Sequence, residues 1–320
     1  MLNFKRLHTK SMKKAIILVL FILCLTVVVS FAIYFFSSTL LSSLSIFHEN
    51  INKSETQPSV TWGAYTGNTL NSFYEFEKKI GKKPDINAVF INWNDAFPKN
   101  IADPLKTNGQ TILIYWEQYG VSLDQVASGS TDSYINKFIL DVKNYGAPVI
   151  LVPLHEMNGN WDPWDGTIGT NTPDKIIIEW KHIHDLFTTA NVTNVKWAWD
   201  VNNNSVPDTP KNSISVYYPG DDYVDYVGVD GFNFGNPWEN YDQLFSKSLT
   251  NLYVYKKPIF IFSIASADGQ KKAVWIKDAL SKIYGNPKIV GWIWFNEDKE
   301  RDWRVWSDEN SLKAFQSGIK

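Results

Sequence analysis

From Val60 onward the chain keeps returning to short apolar, β-branched or aromatic runs, each followed by a longer stretch with helical spacing of its apolar residues. The runs are Val60 to Tyr65, Ala88 to Trp93, Thr111 to Glu117, Pro148 to His155, Val195 to Asp200, Tyr226 to Phe232, Pro258 to Ile264 and Ile289 to Phe295. Continuous apolar runs of this kind suit strands covered on both faces, as in parallel sheets. Between them, Thr131 to Tyr145, Pro173 to Ala190 and Gln270 to Tyr284 read as helices. The second has Thr172 as a potential N-cap, Pro173 in its first turn and Asp174 beside the positive end of its dipole. Strand and helix alternating over about 250 residues predict an α/β fold, a closed (β/α)8 TIM barrel. An open doubly wound sheet is the alternative, and no Gly-x-Gly-x-x-Gly follows any run to support it. No internal repeat or second domain interrupts 59–320, which is assigned to the barrel.

Ahead of the barrel, residues 15–36 carry no charge and follow Lys5, Arg6, Lys10, Lys13 and Lys14. That length crosses a bilayer as a helix, and the basic flank places 1–14 in the cytoplasm. The reading is a single-pass anchor, a Ser-rich linker over 37–58, and an extracytoplasmic barrel. A cleaved signal peptide is the alternative, although its apolar region is usually about 7 to 15 residues and ends in a small-residue site that is not evident here. Asn52-Lys-Ser, Asn191-Val-Thr and Asn203-Asn-Ser match the glycosylation acceptor pattern and agree with export. A net charge of -2 from 31 basic and 33 acidic residues gives no field that would recruit nucleic acid. Cys24 is the single cysteine, which rules out an intrachain disulfide or a cysteine zinc site. His8, His48, His182 and His184 read as juxtamembrane, linker and helix-surface residues, so no cofactor or metal is expected, and the protein is expected to be a monomer.

Active sites of such barrels lie at the C-terminal ends of the strands. There the sequence places Asn92-Trp93-Asn94-Asp95, Trp116-Glu117, His155-Glu156, Trp199-Asp200-Val201-Asn202, Asp230-Gly231-Phe232-Asn233 and Trp294-Phe295-Asn296-Glu297-Asp298. Acids, amides and indoles converging on one face suit a polysaccharide, whose rings stack on aromatic faces. Glycoside cleavage needs a protonated carboxyl for the leaving oxygen and, for retention of configuration, a second carboxylate about 5 to 5.5 Å away. Glu156 is the natural acid: it ends an apolar run, where desolvation raises a carboxyl pKa. The seventh run, Pro258 to Ser266, supplies no carboxylate at its end.

Three motifs in order carry a family resemblance: His155-Glu-Met-Asn-Gly-Asn-Trp-Asp-Pro-Trp164, Tyr217 to Asn233, and Trp294-Phe-Asn-Glu-Asp-Lys-Glu-Arg-Asp-Trp303, with Gly63 to Gly67 and Tyr115-Trp-Glu117 in support. From about Trp62 to Arg304 the chain resembles the family 26 glycoside hydrolases, chiefly retaining endo-β-1,4-mannanases on a (β/α)8 barrel. The resemblance implies that Glu156 is the acid/base, that His155 adjoins it in the subsite of the cleaved sugar, and that Trp161, Trp164 and Trp294 contact sugar. Asn158, Trp116, Asp230 and Phe232 complete the expected β-mannan or β-glycan site. It also implies a departure, because the family's nucleophilic Glu at the end of strand seven is Ser263 here. An Arg three residues before the motif His is Val152, and a Tyr two residues after Asp230 is Phe232. Ser is neutral at pH 7 and cannot stabilise an oxocarbenium ion as a carboxylate does. Two readings follow: hydrolysis with another carboxylate (Glu117, Asp230 or Glu297) activating a water, or β-glycan binding without cleavage.

Overall fold

The computed structural model describes Leu23, residues 25–27 and 29–42, and residues 59–320. The N-terminal part and the barrel are separate compact units, divided between Gln57 and Pro58. In the first, a helix over Leu25–Ser42 is long and apolar enough to cross a membrane. It continues past Phe36, the expected end of the anchor, with the hydroxyls of Ser37, Ser38, Thr39 and Ser42 folded back onto carbonyls three or four residues earlier. The expected cytoplasmic segment 1–14, the start of the anchor and the linker over 43–58 lie outside the described residues.

The second unit is a closed barrel of eight strands in chain order, every neighbouring pair parallel. The strands are β1 (Thr61–Tyr65), β2 (Ile86–Asn92), β3 (Thr111–Glu117), β4 (Val149–Pro153), β5 (Val195–Asn202), β6 (Tyr226–Asn233), β7 (Ile259–Ser266) and β8 (Ile289–Phe295). Around them run α1 (Leu70–Ile80), α2 (Lys99–Thr107), α3 (Leu123–Ala127), α4 (Asp132–Tyr145), α5 (Pro173–Thr189), α6 (Tyr241–Leu252), α7 (Lys272–Gly285) and α8 (Glu309–Gly318). The expected helices are α4, α5 and α7, and Thr172 caps α5 by accepting from the Lys175 N–H. Thr69, Ser122, Asn240 and Asp308 do the same for α1, α3, α6 and α8.

Strand side chains alternate between two cores. Ile86, Ala88, Leu113, Tyr115, Ile150, Val152, Ala198, Phe260, Phe262 and Ile293 fill the barrel interior. The outward set, which includes Trp62, Trp116, Trp292 and Trp294, packs against the helices. Phe260 and Phe262 stack at 5.0 Å across the interior, and two glycines make room for them. A Cβ on Gly228 would stand 2.3 Å from the Phe262 ring, and one on Gly291 would stand 2.1 Å from that of Phe260.

Strand β7 is irregular where it matters most. Its pairing with β6 steps from Val229–Ile261 to Asp230–Ser263, skipping Phe262, and its pairing with β8 shifts between Ile261 and Ile264. The extra residue breaks the alternation, so Phe262 stays in the interior while Ser263, the next residue, still faces the open end of the barrel.

Candidate active site

Strand β4 ends at Pro153, and the chain then takes left-handed turns at two non-glycine residues, Leu154 and Glu156, both with φ of 54°. Such conformations cost about 1 to 3 kcal/mol each and persist only where the surroundings impose them. Here the Glu156 N–H donates to the Asp200 carbonyl (3.2 Å) and its carbonyl accepts from the Gly159 N–H (2.7 Å). The turn carries the Glu156 carboxyl into the cleft, where its Oε2 accepts from the Trp161 indole N–H at 2.9 Å. Trp161 is held in turn: Asp165 Oδ2 accepts from the backbone N–H groups of Trp161 (2.8 Å) and Asp162 (2.9 Å). The indole also lies over Gly159, where any Cβ would come within 2.6 Å of it. Burial raises the Glu156 pKa, opposed by the charge of His155 and the Trp161 hydrogen bond. Burial likewise lifts Asp165 to about 7.

His155 is edged by the rings of Phe90, Tyr115 and Trp164 at 5.6, 5.6 and 5.3 Å. Its Nε2 stands 3.8 Å from Glu117 Oε1, an ion-pair distance too long for a direct hydrogen bond. Burial alone would lower its pKa; Glu117, then Asp162, Glu156 and Asp230, outweigh that and bring it up to about 9. The surrounding acids thus favour the protonated imidazole, in a cleft that Lys299 also lines. His155, Glu156 and Asp162 have donor atoms within 4.8 Å of one another, a grouping that could suggest a metal. Within this set Glu156 and Asp162 accept from Trp161 and Tyr119.

Across the mouth, Asp230 on β6 pairs in register with Ser263 on β7. Below them Tyr115 donates to the Phe262 carbonyl, and its Oη lies 3.2 Å from Ser263 Oγ. Asp200 on β5 is fully buried beside Asp230; burial and the facing acids push both carboxyls well above the usual range. The resulting cleft encloses about 900 Å³ and is lined by Glu117, His155, Glu156, Trp161, Asp230, Phe232 and Ser263 among others. Tyr65, Phe90, Phe295 and Trp303 add aromatic walls, and Trp161 leaves about half of its surface (47%) open to the cleft rim.

Four residues expected in the cleft do not line it. Trp116 and Trp294 sit at strand positions of outward parity and are fully buried against the helices, Trp116 donating to Tyr134 Oη and Trp294 to the Trp303 carbonyl. Trp164 is buried behind His155 and donates to its carbonyl. Asn158 is buried too; its amide accepts from the Asn202 N–H (2.8 Å) and donates to the Asn202 carbonyl (3.0 Å), tying the β4 loop to the end of β5. Trp294, Trp164 and Asn158 thereby hold Trp303, His155 and Asn202, which do face the cleft. The Asn203 acceptor pattern is likewise spent internally, since Asn203 is buried and its amide donates to the Leu244 carbonyl. Asp162 and Tyr115 lie within the quoted motifs without an assigned role, and Asp165 and Tyr119 lie outside them; Tyr119 joins the site because the β3 and β4 loops meet, where it donates to Asp162.

The segment after β8 brings Glu297, Lys299, Glu300 and Trp303 to the cleft. Lys272, fully buried at the start of α7, fastens it by donating to the Asp302 carbonyl (2.9 Å), the Arg304 carbonyl (2.8 Å) and Ser307 Oγ (3.0 Å). Burial lowers this amine to about 8.

The fold and cleft are those of a (β/α)8 barrel with a desolvated carboxyl, a buried histidine and aromatic faces at the carboxyl ends of its strands. The chain belongs to glycosyl hydrolase family 26, whose family model matches residues 86–315. It is 37% identical over 273 residues to endoglucanase H of Acetivibrio thermocellus, covering 80% of this chain and 30% of that protein. It is 31% identical over 189 residues to a mannan endo-1,4-beta-mannosidase of Bacillus subtilis, covering 52% and 45%. The chain thus spans less than half the length of either relative. Among solved structures, a GH26 beta-mannanase from Bacteroides ovatus superposes with a TM-score of 0.64 at 18% identity, covering 84% of this chain and 90% of that one. A Bacillus subtilis mannanase gives 0.59 at 22%, covering 81% and 85%; at these identities the likeness is one of fold.

Proposed function

We propose that the protein hydrolyses a β-1,4-linked glycan of the mannan or glucan type, with Glu156 as the general acid and Ser263 where the family's nucleophilic carboxylate belongs. The observation that carries the reading is Glu156 itself: a carboxyl lifted by burial, oriented by an indole N–H, and presented by a left-handed turn into a cleft with aromatic walls. The named activities of the two relatives, an endoglucanase and an endo-mannosidase, bracket the substrate class. Without a carboxylate at position 263, the covalent glycosyl-enzyme ester of a retaining enzyme cannot form there, so cleavage requires a different partner for Glu156.

That same hydroxyl favours a second reading, a β-glycan binder that no longer cuts. Wild type, Glu156→Gln and Ser263→Glu compared on soluble mannan and soluble β-glucan, with affinity electrophoresis alongside, separate the two. Sugar release by wild type that Glu156→Gln abolishes supports hydrolysis; activity in Ser263→Glu alone supports the binder; no affinity for either glycan sinks both. The apolar helix over Leu25–Ser42 and the basic residues before it support a membrane-anchored, extracytoplasmic barrel. Protease added to intact cells should then remove the barrel, whereas protection of the barrel would refute that orientation.

A further inference from the structure

Resting on the hydrolytic reading, we infer that the Asp230–Asp200 pair and Ser263 hold a nucleophilic water beneath the cleaved sugar, making the protein an inverting glycosidase in a family of retaining ones. Three acceptor oxygens in this corner, Asp230 Oδ1 and both carboxyl oxygens of Asp200, are buried with no hydrogen-bond partner among the described residues. Buried polar atoms in that state call for ordered water or a shared proton. A Ser in place of a Glu also leaves space at the cleft floor, and a water's share of liquid volume is about 30 Å³.

The local hydrogen bonds orient such a water. Tyr115 has one hydroxyl proton and gives it to the Phe262 carbonyl. The 3.2 Å contact between Tyr115 Oη and Ser263 Oγ therefore uses the serine proton, which leaves the lone pairs of Ser263 Oγ as acceptors. A water between Ser263 and Asp230, neighbours in register on β7 and β6, donates one hydrogen to each. Its own lone pair is then free to face the cleft. The other candidate bases fit less well. Glu117 lies on β3, next to the acid's own strand, in an ion pair with His155. Glu297 stands over Gly67 beyond the end of β1, whereas Asp230 pairs in register with Ser263. Burial and each other's charge raise both carboxyls and oppose double ionisation; in the proposed site the pair shares one proton and carries a single negative charge.

In the step itself, a water lone pair forms the new bond to the anomeric carbon as the glycosidic C–O bond breaks. The bonding pair leaves with the glycosidic oxygen, which takes the proton of Glu156. The proton released by the water lands on Asp230, while the proton shared by the pair moves onto Asp200. The β-linked sugar departs as its α-anomer; Glu156 regains a proton from solvent and the aspartate pair loses one.

The test follows the anomer first formed, by proton NMR of fresh digests of a mannan or mixed-linkage glucan oligosaccharide with the full chain. Wild type should release the α-anomer first. Asp230→Asn should lose at least about 100-fold in rate while keeping glycan affinity, and Ser263→Glu should release the β-anomer first. A β-anomer from wild type overturns the inference and leaves the hydrolytic reading standing, as does wild-type rate in Asp230→Asn. Glycan binding with no sugar release overturns both. If Asp230→Asn fails to fold, the wild-type anomer decides alone.

Discussion

Two strand exits face each other across the cleft, and both depart from regular geometry to aim a side chain into it. At the end of β4 the device is a pair of left-handed residues, which deliver the Glu156 carboxyl. At β7 it is a bulge, which delivers the Ser263 hydroxyl. The backbone investment is comparable and the chemistry is not: one side presents a carboxyl beside a histidine and an indole, the other a hydroxyl beside two buried acids. Aiming and arming are separate properties of a site: irregular backbone at both exits points a side chain into the cleft, whatever group that side chain carries.

The largest expected effect lies on the β4 side. Glu156→Gln should reduce hydrolysis about 100- to 10,000-fold with glycan affinity nearly unchanged; a small loss would mean that Glu156 is not the acid and would dissolve the contrast between the exits. Next comes the support under β7. Gly228→Ala drives a methyl into the Phe262 ring beside the bulge, and should cost about 1 to 3 kcal/mol in chemical denaturation together with activity. If stability falls and activity does not, the bulge is not what places Ser263. Trp161→Ala should raise KM about tenfold through the lost aromatic platform, and Trp161→Phe should move the basic limb of the pH–rate profile upward, because the lost N–H is one of the groups holding the Glu156 pKa down.

The smallest effect concerns His155, whose pKa rises from 6.5 to about 9 on folding. A group raised in this way contributes stability that is fully present below 6.5 and is lost as pH climbs through about 9. Wild type should therefore lose melting temperature across that window more steeply than His155→Asn, and parallel curves would show that the cleft carboxylates do not hold a histidinium.

The strands were legible to within two or three residues because fully buried strands leave uninterrupted apolar runs, and the place of Glu156 in the cleft followed from its position just past the end of one such run. The indoles were not. Trp116 and Tyr115 are adjacent, yet Tyr115 reaches the cleft floor and Trp116 the helices, and a run apolar at every position carries no mark of which parity faces inward. The bulge was equally invisible, since it is defined by pairing with two other strands. Asp200 and Asp230 appeared at separate strand ends; only closure of the barrel makes them a pair.

Lys272 gives the segment after β8 an unplanned reporter. With its amine lowered to about 8 and fully enclosed by the carbonyls it fastens, it combines a larger share of the reactive neutral form than a surface lysine with no access for a reagent. Acylation by a small amine-selective probe at mild alkaline pH would then occur only during moments when that segment lifts away. Its rate, read by mass spectrometry at one peptide, becomes a clock for the breathing of one wall of the cleft, and bound glycan contacting Trp303 should slow it.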